Sequence, residues 1–565
     1  MAEYIKSEYD TSVKREGDVL SSSGDISAPL EKRARRMTHK PQAYDFAEME
    51  NKEQMLLQKA LANSRKDTKR EDVDVPLAPS FYPTVDEFRE PLKYIMSIRD
   101  RAEVFGICKI VPPAGWNPKL AVDLEKADGR KMKTRKQTVH TLQEGKGFPD
   151  GKRYSLKDYK LMAEAARKSY VEREHGGTEP SIEKLRKDYW DIVETGGMKK
   201  TVVEYANDID TTIFGSGFPR LSTEKHRMNS GNEPKDSATM FSDDYYLRSG
   251  WNLNNIANVE GSVLKHLEHP INGINVPWLY VGMLFASFCW HNEDNYLYSI
   301  NYSHTGAVKQ WYGVPGDDAT KFEKTTKDFL FESFEEAPDL LHHMATQVSP
   351  SLLVRNGVPV YQLTQEPKTF IVTFPKAFHA GFSCGFNVGE AVNFATPDWV
   401  VKGSEAEGIY RTFARPSVFS HVRLLFTLVE HINEFDAKYR GSLLKLIEQV
   451  VDDELRFRPI VHSYGIRDVA SMGINLPPND FETIDEGKMT YDDMRTCAMC
   501  KTVCVFTAIA CECSQSKVCC LRHKLDTLCK CPNKKKYMMA WATDSELKSI
   551  RTKVTYLLNQ SMKMR

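Results

Sequence analysis

An α+β fold follows from three observations: a β-rich centre between about residues 200 and 400, helical periodicity on both sides of it, and a dense cysteine cluster towards the C-terminal end. Trp278 to Trp290 is almost continuously apolar and aromatic, the pattern of chain buried on both faces. Leu297 to Tyr302, Val308 to Val314 and Phe370 to Phe374 are shorter runs of the same kind. Between them, Asp317 to Phe334 carries apolar residues at helical spacing, so one helix interrupts the strands. A chain of 565 residues exceeds what one core usually covers, and roughly two to four folded units are expected.

Taken from the N-terminus, residues 1–75 are rich in charge and serine without a sustained apolar period, which predicts a disordered tail. Within it, Lys32-Arg33-Ala34-Arg35-Arg36 is either a nuclear-import signal or a solvated basic run. From Pro79 the character changes. Phe88, Leu92, Ile95 and Ile98 recur at helical spacing, and Ile107 to Pro113 reads as a short strand stopped by Pro112-Pro113. The polar, basic stretch from about 118 to 150 reads as a mobile linker, and 155 to 200 as a surface-packed helical insert. Residues 405 to 455 again have helical character, strongest from Val422 to Val450.

Lysine plus arginine and aspartate plus glutamate number 77 each, so net charge gives no argument for direct DNA binding. No apolar run approaches bilayer length and the N-terminus is polar, which predicts a soluble intracellular protein without a membrane partner. Nine of the 12 cysteines fall between Cys497 and Cys531, a clustering that suits metal thiolates better than a disulfide framework. Cys497-x-x-Cys500, Cys511-x-Cys513, Cys520-x-x-His523 and Cys529-x-Cys531 offer enough ligands for two tetrahedral zinc ions. Interleaving is expected, first pair with third and second with fourth, leaving Cys504 and Cys519 over.

The sharpest chemical signal is His291-Asn292-Glu293 at the end of the apolar run. In extended chain, residues i and i+2 project to the same side, so an imidazole and a carboxylate converge. A second imidazole, His379, follows in Phe374-Pro375-Lys376-Ala377-Phe378-His379-Ala380-Gly381-Phe382, read as a strand running into a small-residue turn. Two histidines and one carboxylate on one face of a metal leave positions free for a bidentate acid and dioxygen, the arrangement of non-haem iron(II) oxygenases. An HxE pair alone is common by chance; its neighbours distinguish this one.

Phe288 to Asp294, Tyr298-Ser299-Ile300-Asn301-Tyr302 and Lys309-Gln310-Trp311-Tyr312-Gly313-Val314-Pro315 together resemble the centre of JmjC histone lysine demethylases. The resemblance extends to Val203-Glu204-Tyr205, Phe214-Gly215-Ser216-Gly217-Phe218-Pro219, Ser249 to Asn254, Pro277 to Met283 and Glu390 to Ala395. Phe81 to Pro113 is similar to the JmjN element. The cysteine and histidine order at 497–531 resembles the C5HC2 zinc finger of JARID-type enzymes and their plant relatives, which act on lysine 4 of histone H3.

This resemblance implies a double-stranded β-helix, cupin-like JmjC core over 201–400, JmjN over 79–120, a linker and helical insert over 121–200, a helical domain over 401–490 and a zinc finger over 497–550. It implies iron(II) at His291, Glu293 and His379, and zinc at Cys497, Cys500, Cys511, Cys513, Cys520, His523, Cys529 and Cys531. For 2-oxoglutarate, Lys309 resembles the cation that pairs with the distal carboxylate, Tyr205 a donor to it, Ser299 and Asn301 further contacts, and Phe288 and Trp311 the aromatic walls. Tyr280 resembles the tyrosine beside the methylated ammonium. The implied reaction removes a lysine N-methyl group with release of succinate, carbon dioxide and formaldehyde; it needs no nitrogen lone pair, so trimethyl-lysine is permitted. Partners would be a methylated histone H3 tail and chromatin complexes, in the nucleus.

Departures from the family pattern narrow the assignment. The stretch between Gly115 and Tyr205 has no cysteine-histidine array and is too short for both an ARID and a PHD module, so the layout is closer to the plant-type branch. No cysteine lies between Cys384 and Cys497, against the JMJD-two subfamily with its zinc site in the catalytic region. Ser383 stands where relatives commonly have asparagine, and Asn295-Tyr296 replaces a bulkier, more basic pair; both bear on peptide preference and leave the iron ligands untouched. Two alternatives are a JmjC hydroxylase of a non-histone protein and a catalytically weak chromatin scaffold.

Overall fold

The structure is a computed structural model that describes residues 73–124, 130–195, 200–220, 240–469, 495–523 and 528–563. The basic run at Lys32–Arg36, all but the last residues of the expected tail, and the end of the expected helical domain lie outside the described residues.

The N-terminal strands are β1 (Ser80–Phe81), β2 (Ile107–Ile110), β3 (Met132–Thr138), β4 (Asp150–Tyr154) and β5 (Val202–Asp210). The central ones are β6 (Trp278–Gly282), β7 (Ser287–His291), β8 (Tyr298–Gly306) and β9 (Lys309–Val314). They continue with β10 (Tyr361–Gln365), β11 (Phe370–Thr373), β12 (Phe378–Ser383) and β13 (Asn387–Phe394). They form a nine-stranded sheet in the order β1-β2-β11-β8-β13-β6-β5-β3-β4 and a four-stranded sheet in the order β10-β9-β12-β7. Leu279, Val281 and Tyr205 of the larger sheet share one core with Trp290, Tyr312, Phe378 and Phe382 of the smaller. The result is the cupin-like β-sandwich expected from the sequence.

Helix α1 (Pro91–Ala102) begins with a proline whose missing N–H costs nothing there, and it buries Leu92, Ile95, Ile98 and Ala102. Just before it, Phe88 stacks on Trp251 with ring centroids 4.4 Å apart, and Trp251 Nε1 donates to the Phe88 carbonyl at 2.6 Å. The N-terminal element is thus more than a helix lying on a body, because β1 and β2 extend the main sheet through β11.

The segment expected to be a mobile linker instead supplies β3 and the edge strand β4, with β3 paired to β5 at Arg135 opposite Tyr205. Composition concealed this, because the inward positions of β3 are Met132, Thr134 and Gln137. Polar residues can be buried where they are paired: Thr134 Oγ1 donates to Glu204 Oε2 at 2.5 Å, and Gln137 bonds the Ser287 N–H and carbonyl, both at 2.8 Å. Helices α2 (Leu156–His175) and α3 (Ile182–Thr195) follow, as the helical spacing predicts. Their role is deeper than a surface insert. Tyr189 stacks on Phe382 at 3.9 Å, and Trp190 Nε1 donates to the Tyr312 hydroxyl at 2.9 Å, so α3 seals the smaller sheet.

Trp278 to Trp290 is two strands. The chain turns at Phe285, whose φ is +64°, and crosses from the larger sheet to the smaller. Because apolar residues run through both strands without alternation, apolarity alone could not mark the turn. His379 likewise sits inside β12, and Ala380-Gly381 continue the strand where a small-residue turn was expected. Gly381 is small for packing, since a Cβ there would lie 2.0 Å from the Gln310 carbonyl oxygen and 2.5 Å from Phe288 Cζ.

Beyond the sandwich, α4 (Val400–Thr412), α5 (His421–Glu430) and α6 (Ala437–Ser463) form the expected helical region. Asn295 and Tyr296 are wedged beneath it with φ of +53° and +52°, where Trp399 Nε1 donates to the Asn295 carbonyl at 2.9 Å.

Candidate functional site

His291 ends β7 and His379 lies on β12, and the two are register partners across that antiparallel pair. Glu293, two residues beyond β7 with φ −70° and ψ 150°, prolongs the extended chain. One ligand atom from each of the three lies within 4.8 Å of the others, and Glu293 Oε1 is 3.3 Å from His379 Nε2. Each imidazole is oriented by its own backbone. His291 Nδ1 is 2.7 Å from the Cys289 carbonyl and His379 Nδ1 is 3.3 Å from the Ala377 carbonyl. A carbonyl only accepts, so each Nδ1 carries a proton and each Nε2 is turned inward.

Electrostatics favours the same donor set. Burial, helped by the neighbouring His379, pulls the His291 pKa down to about 4, leaving a neutral ring at neutral pH. Burial alone would raise the Glu293 carboxyl, but hydrogen bonding and charge from His379, with His291 and Asn393, carry it down to about 2. Two imidazoles and a carboxylate suit iron(II), so the residues present fit the metal that the resemblance implies.

Lys309 starts β9 and is 5% exposed. Its Nζ lies 5.9 Å from the ring centroids of Tyr205 and Tyr280 and 5.5 Å from that of Phe288, and burial alone pulls its pKa to about 8. A continuous aromatic wall connects it to the triad: Phe288 and Trp311 rings are 4.5 Å apart, and Trp311 and His379 rings 6.2 Å apart. Ser299 and Asn301 lie two apart on β8. Ser299 shares a 2.6 Å hydrogen bond with Thr373 Oγ1, and Asn301 Oδ1 accepts from Gln365 Nε2 at 3.1 Å.

Sequence reasoning missed the residues that hold these groups in place. Asn393 Nδ2 donates to Glu293 Oε2, Gln365 accepts from Trp311 Nε1 at 3.0 Å, and Asp208 is bonded to Tyr280. Asn393 stood within the quoted Glu390-to-Ala395 motif, whereas Gln365, Thr373 and Asp208 carried no spacing signal.

The cysteine region folds on a small sheet ordered β14-β17-β15-β16, with β14 (Arg467–Asp468), β15 (Thr507–Cys511), β16 (Ser514–Cys519) and β17 (Lys536–Ala540). Two groups of potential ligands form, Cys497 with Cys500, Cys520 and His523, and Cys511 with Cys513, Cys529 and Cys531. This is the interleaved pairing expected from the spacing. Cys504 and Cys519 stay outside both groups and are buried, which pushes both thiols up, that of Cys519 to about 12.

Comparison with known proteins agrees with this architecture. Residues 79–112 match the jmjN domain, 278–394 the JmjC domain, described as a hydroxylase, and 497–550 the C5HC2 zinc finger. The chain is 37% identical over 519 residues to lysine-specific demethylase JMJ703 of Oryza sativa subsp. japonica, covering 82% of this chain and 40% of that protein. It is 35% identical over 536 residues to putative lysine-specific demethylase JMJ16 of Arabidopsis thaliana, covering 82% and 43%. To lysine-specific demethylase 5B of Gallus gallus it is 38% identical over 411 residues, covering 73% and 25%. The chain therefore spans less than half the length of these curated relatives. The chain thus carries jmjN, JmjC and C5HC2 zinc-finger domains, following one another along residues 79–550.

Proposed function

We propose that this chain is an iron(II)- and 2-oxoglutarate-dependent demethylase of trimethylated and dimethylated lysine 4 of histone H3, working in the nucleus. The observation that carries the reading is the buried Lys309 cation joined through Phe288 and Trp311 to the His291, Glu293 and His379 donor set. A lysine buried among three aromatic rings is costly unless an anion joins it. A dicarboxylate with one end at Lys309 and its 2-oxo acid end at the triad supplies that anion.

Iron(II) at the triad, with 2-oxoglutarate and dioxygen, supplies the oxidation that turns an N-methyl group into a hydroxymethyl group lost as formaldehyde, with succinate and carbon dioxide as co-products. The protein's part is placement. His291 and His379 present Nε2, Glu293 supplies a carboxylate that Asn393 orients, and Lys309 neutralises the distal carboxylate with Tyr205 beside it. Phe288 and Trp311 exclude water from the co-substrate. Tyr280, held by Asp208, offers ring and hydroxyl oxygen to a methylated ammonium, which favours a quaternary cation. Zinc ions in the two ligand groups would fix the C-terminal module.

Lysine 4 is favoured by the C5HC2 order, which resembles JARID-type enzymes, while the lysine-specific demethylase names of the relatives support lysine demethylation without choosing the site. The test is mass spectrometry of H3 peptides trimethylated separately at lysines 4, 9, 27 and 36, incubated with iron(II), ascorbate and 2-oxoglutarate. Loss of 14 mass units at lysine 4 alone, absent in His291→Ala, is the expected outcome. Turnover at another lysine sinks the specificity, and no turnover at any site sinks the histone reading.

A further inference from the structure

A second cluster of metal-ligating side chains lies apart from both the JmjC triad and the zinc finger. His266 closes a short 3-10 turn, Leu264–His266, that precedes β6; its neighbours Val263 and Leu264 are fully buried, and Val263 N–H donates to the Ala395 carbonyl at 2.8 Å, just past the end of β13. His431 directly follows α5, and Glu434 closes the next turn, Ile432–Glu434, three residues on and therefore on the same face. The His266 and His431 rings lie 4.3 Å apart, and one ligand atom from each of the three residues lies within 4.8 Å of the others.

Hydrogen bonding within the cluster leaves one of these atoms unused. His431 Nδ1 is 2.8 Å from Glu434 Oε1, an ordinary hydrogen bond. His266 Nε2 is 3.7 Å from Glu434 Oε2, beyond hydrogen-bond reach, and it is buried without a partner on a side chain only 6% exposed. Buried polar atoms are normally satisfied, so an orphaned imidazole nitrogen facing a carboxylate and a second imidazole asks for a ligand. Lys265 Nζ lies 2.6 Å from Glu434 Oε2 and lowers the carboxyl, keeping it ionised, yet that ammonium can only donate and its ion pair leaves His266 Nε2 unsatisfied.

We infer that His266, His431 and Glu434 form an additional divalent-cation site, fitted by its two nitrogens and one carboxylate to zinc, with the remaining position open to water. Its place in the fold gives it a purpose. The ion ties the turn attached to the end of β13 to the end of α5, stapling the β-sandwich to the C-terminal helices. Displacement of the Lys265 ammonium from Glu434 accompanies loading, because both cations compete for one oxygen.

The test counts zinc in the full chain. A His291→Ala background removes an imidazole of the JmjC triad, and zinc-loaded, dialysed protein is then assayed by elemental mass spectrometry and by thermal melting with and without added zinc. His431→Ala and Glu434→Gln are each expected to lose about one zinc per chain relative to this parent, together with the zinc-dependent rise in Tm. Both side chains are partly exposed, at 41% and 42%, so neither change opens the core. Glu434→Gln keeps the side-chain shape and decides the matter if His431→Ala does not fold. Zinc content unchanged in Glu434→Gln overturns the site.

Discussion

Asn393 donates from Nδ2 to Glu293 Oε2 and to the Tyr298 carbonyl, both at 3.0 Å, so one β13 amide fixes the carboxylate of the candidate triad against β8. Glu293 Oε1 is thereby left facing His379 Nε2. Groups that orient ligands typically carry about 10- to 100-fold in metal affinity. Asn393→Ala is therefore expected to weaken iron(II) binding by about that factor, read as the iron dependence of 2-oxoglutarate decarboxylation. An unchanged iron dependence would mean that the carboxylate orients itself.

Lys309 makes a prediction with a sign in pH. Lys309→Met keeps the stem and removes the charge, and truncating one partner of a buried charge pair costs about 2–5 kcal/mol, roughly 30- to several thousand-fold in 2-oxoglutarate affinity. Burial sets the free lysine near 8, and a bound carboxylate favours the ammonium. Affinity for 2-oxoglutarate should hold below about pH 8 and fall above it as the free lysine deprotonates. Titration calorimetry at a series of pH values checks this, and a flat profile that Lys309→Met does not alter would remove Lys309 from the co-substrate site.

Gly381 bears on the same pocket by packing. The added methyl of Gly381→Ala meets Phe288 Cζ and the Gln310 carbonyl, and the carbonyl belongs to a paired strand that cannot yield cheaply. The Phe288 ring, whose centroid is 5.5 Å from Lys309 Nζ, must therefore move. A stability loss of about 1–3 kcal/mol with a raised KM for 2-oxoglutarate is expected, and a KM that does not move would show that the ring has room.

Where chemistry demanded a residue type at a fixed spacing, the sequence was readable. His291 and Glu293 converge because extended chain repeats every second residue, and the four cysteine pairs interleave because close spacing forces them to. What escaped was decided by partners distant in sequence. β3 looked like a linker because Thr134 and Gln137 are buried against hydrogen-bond partners some 70 and 150 residues away. The turn at Phe285 vanished inside an apolar run, and Ala380-Gly381 read as a turn because the sequence does not show the Phe288 ring that requires a glycine. Asn295 and Tyr296, which the sequence linked to peptide preference, are both buried, and Asn295 meets Trp399 and Tyr410 of the helical region through its backbone.

The zinc pairing separates ligands from bystanders. Cys500 and Cys504 are four residues apart and both buried, yet Cys500 falls within a ligand group and Cys504 outside it. Cys500→Ser is expected to remove about one zinc per chain and unfold the small sheet, whereas Cys504→Ser leaves zinc content unchanged. Elemental analysis with near-ultraviolet circular dichroism distinguishes them; zinc lost from Cys504→Ser would redraw the coordination.

His421 makes stability depend on pH. Its ring is 1% exposed, and Nε2 is 2.8 Å from the Val400 carbonyl, which holds α5 against α4. Burial pulls its pKa from an ordinary 6.5 to about 4, so the unfolded chain takes up a proton that the folded chain refuses. The stabilisation is complete above pH 6.5, is lost progressively as pH falls towards 4, and amounts to about 3 kcal/mol in full. His421→Gln keeps a donor to Val400 and cannot titrate. Its Tm should therefore fall less steeply than that of the wild type between pH 6.5 and 4, and parallel curves would show that the folded protein accommodates the charged ring.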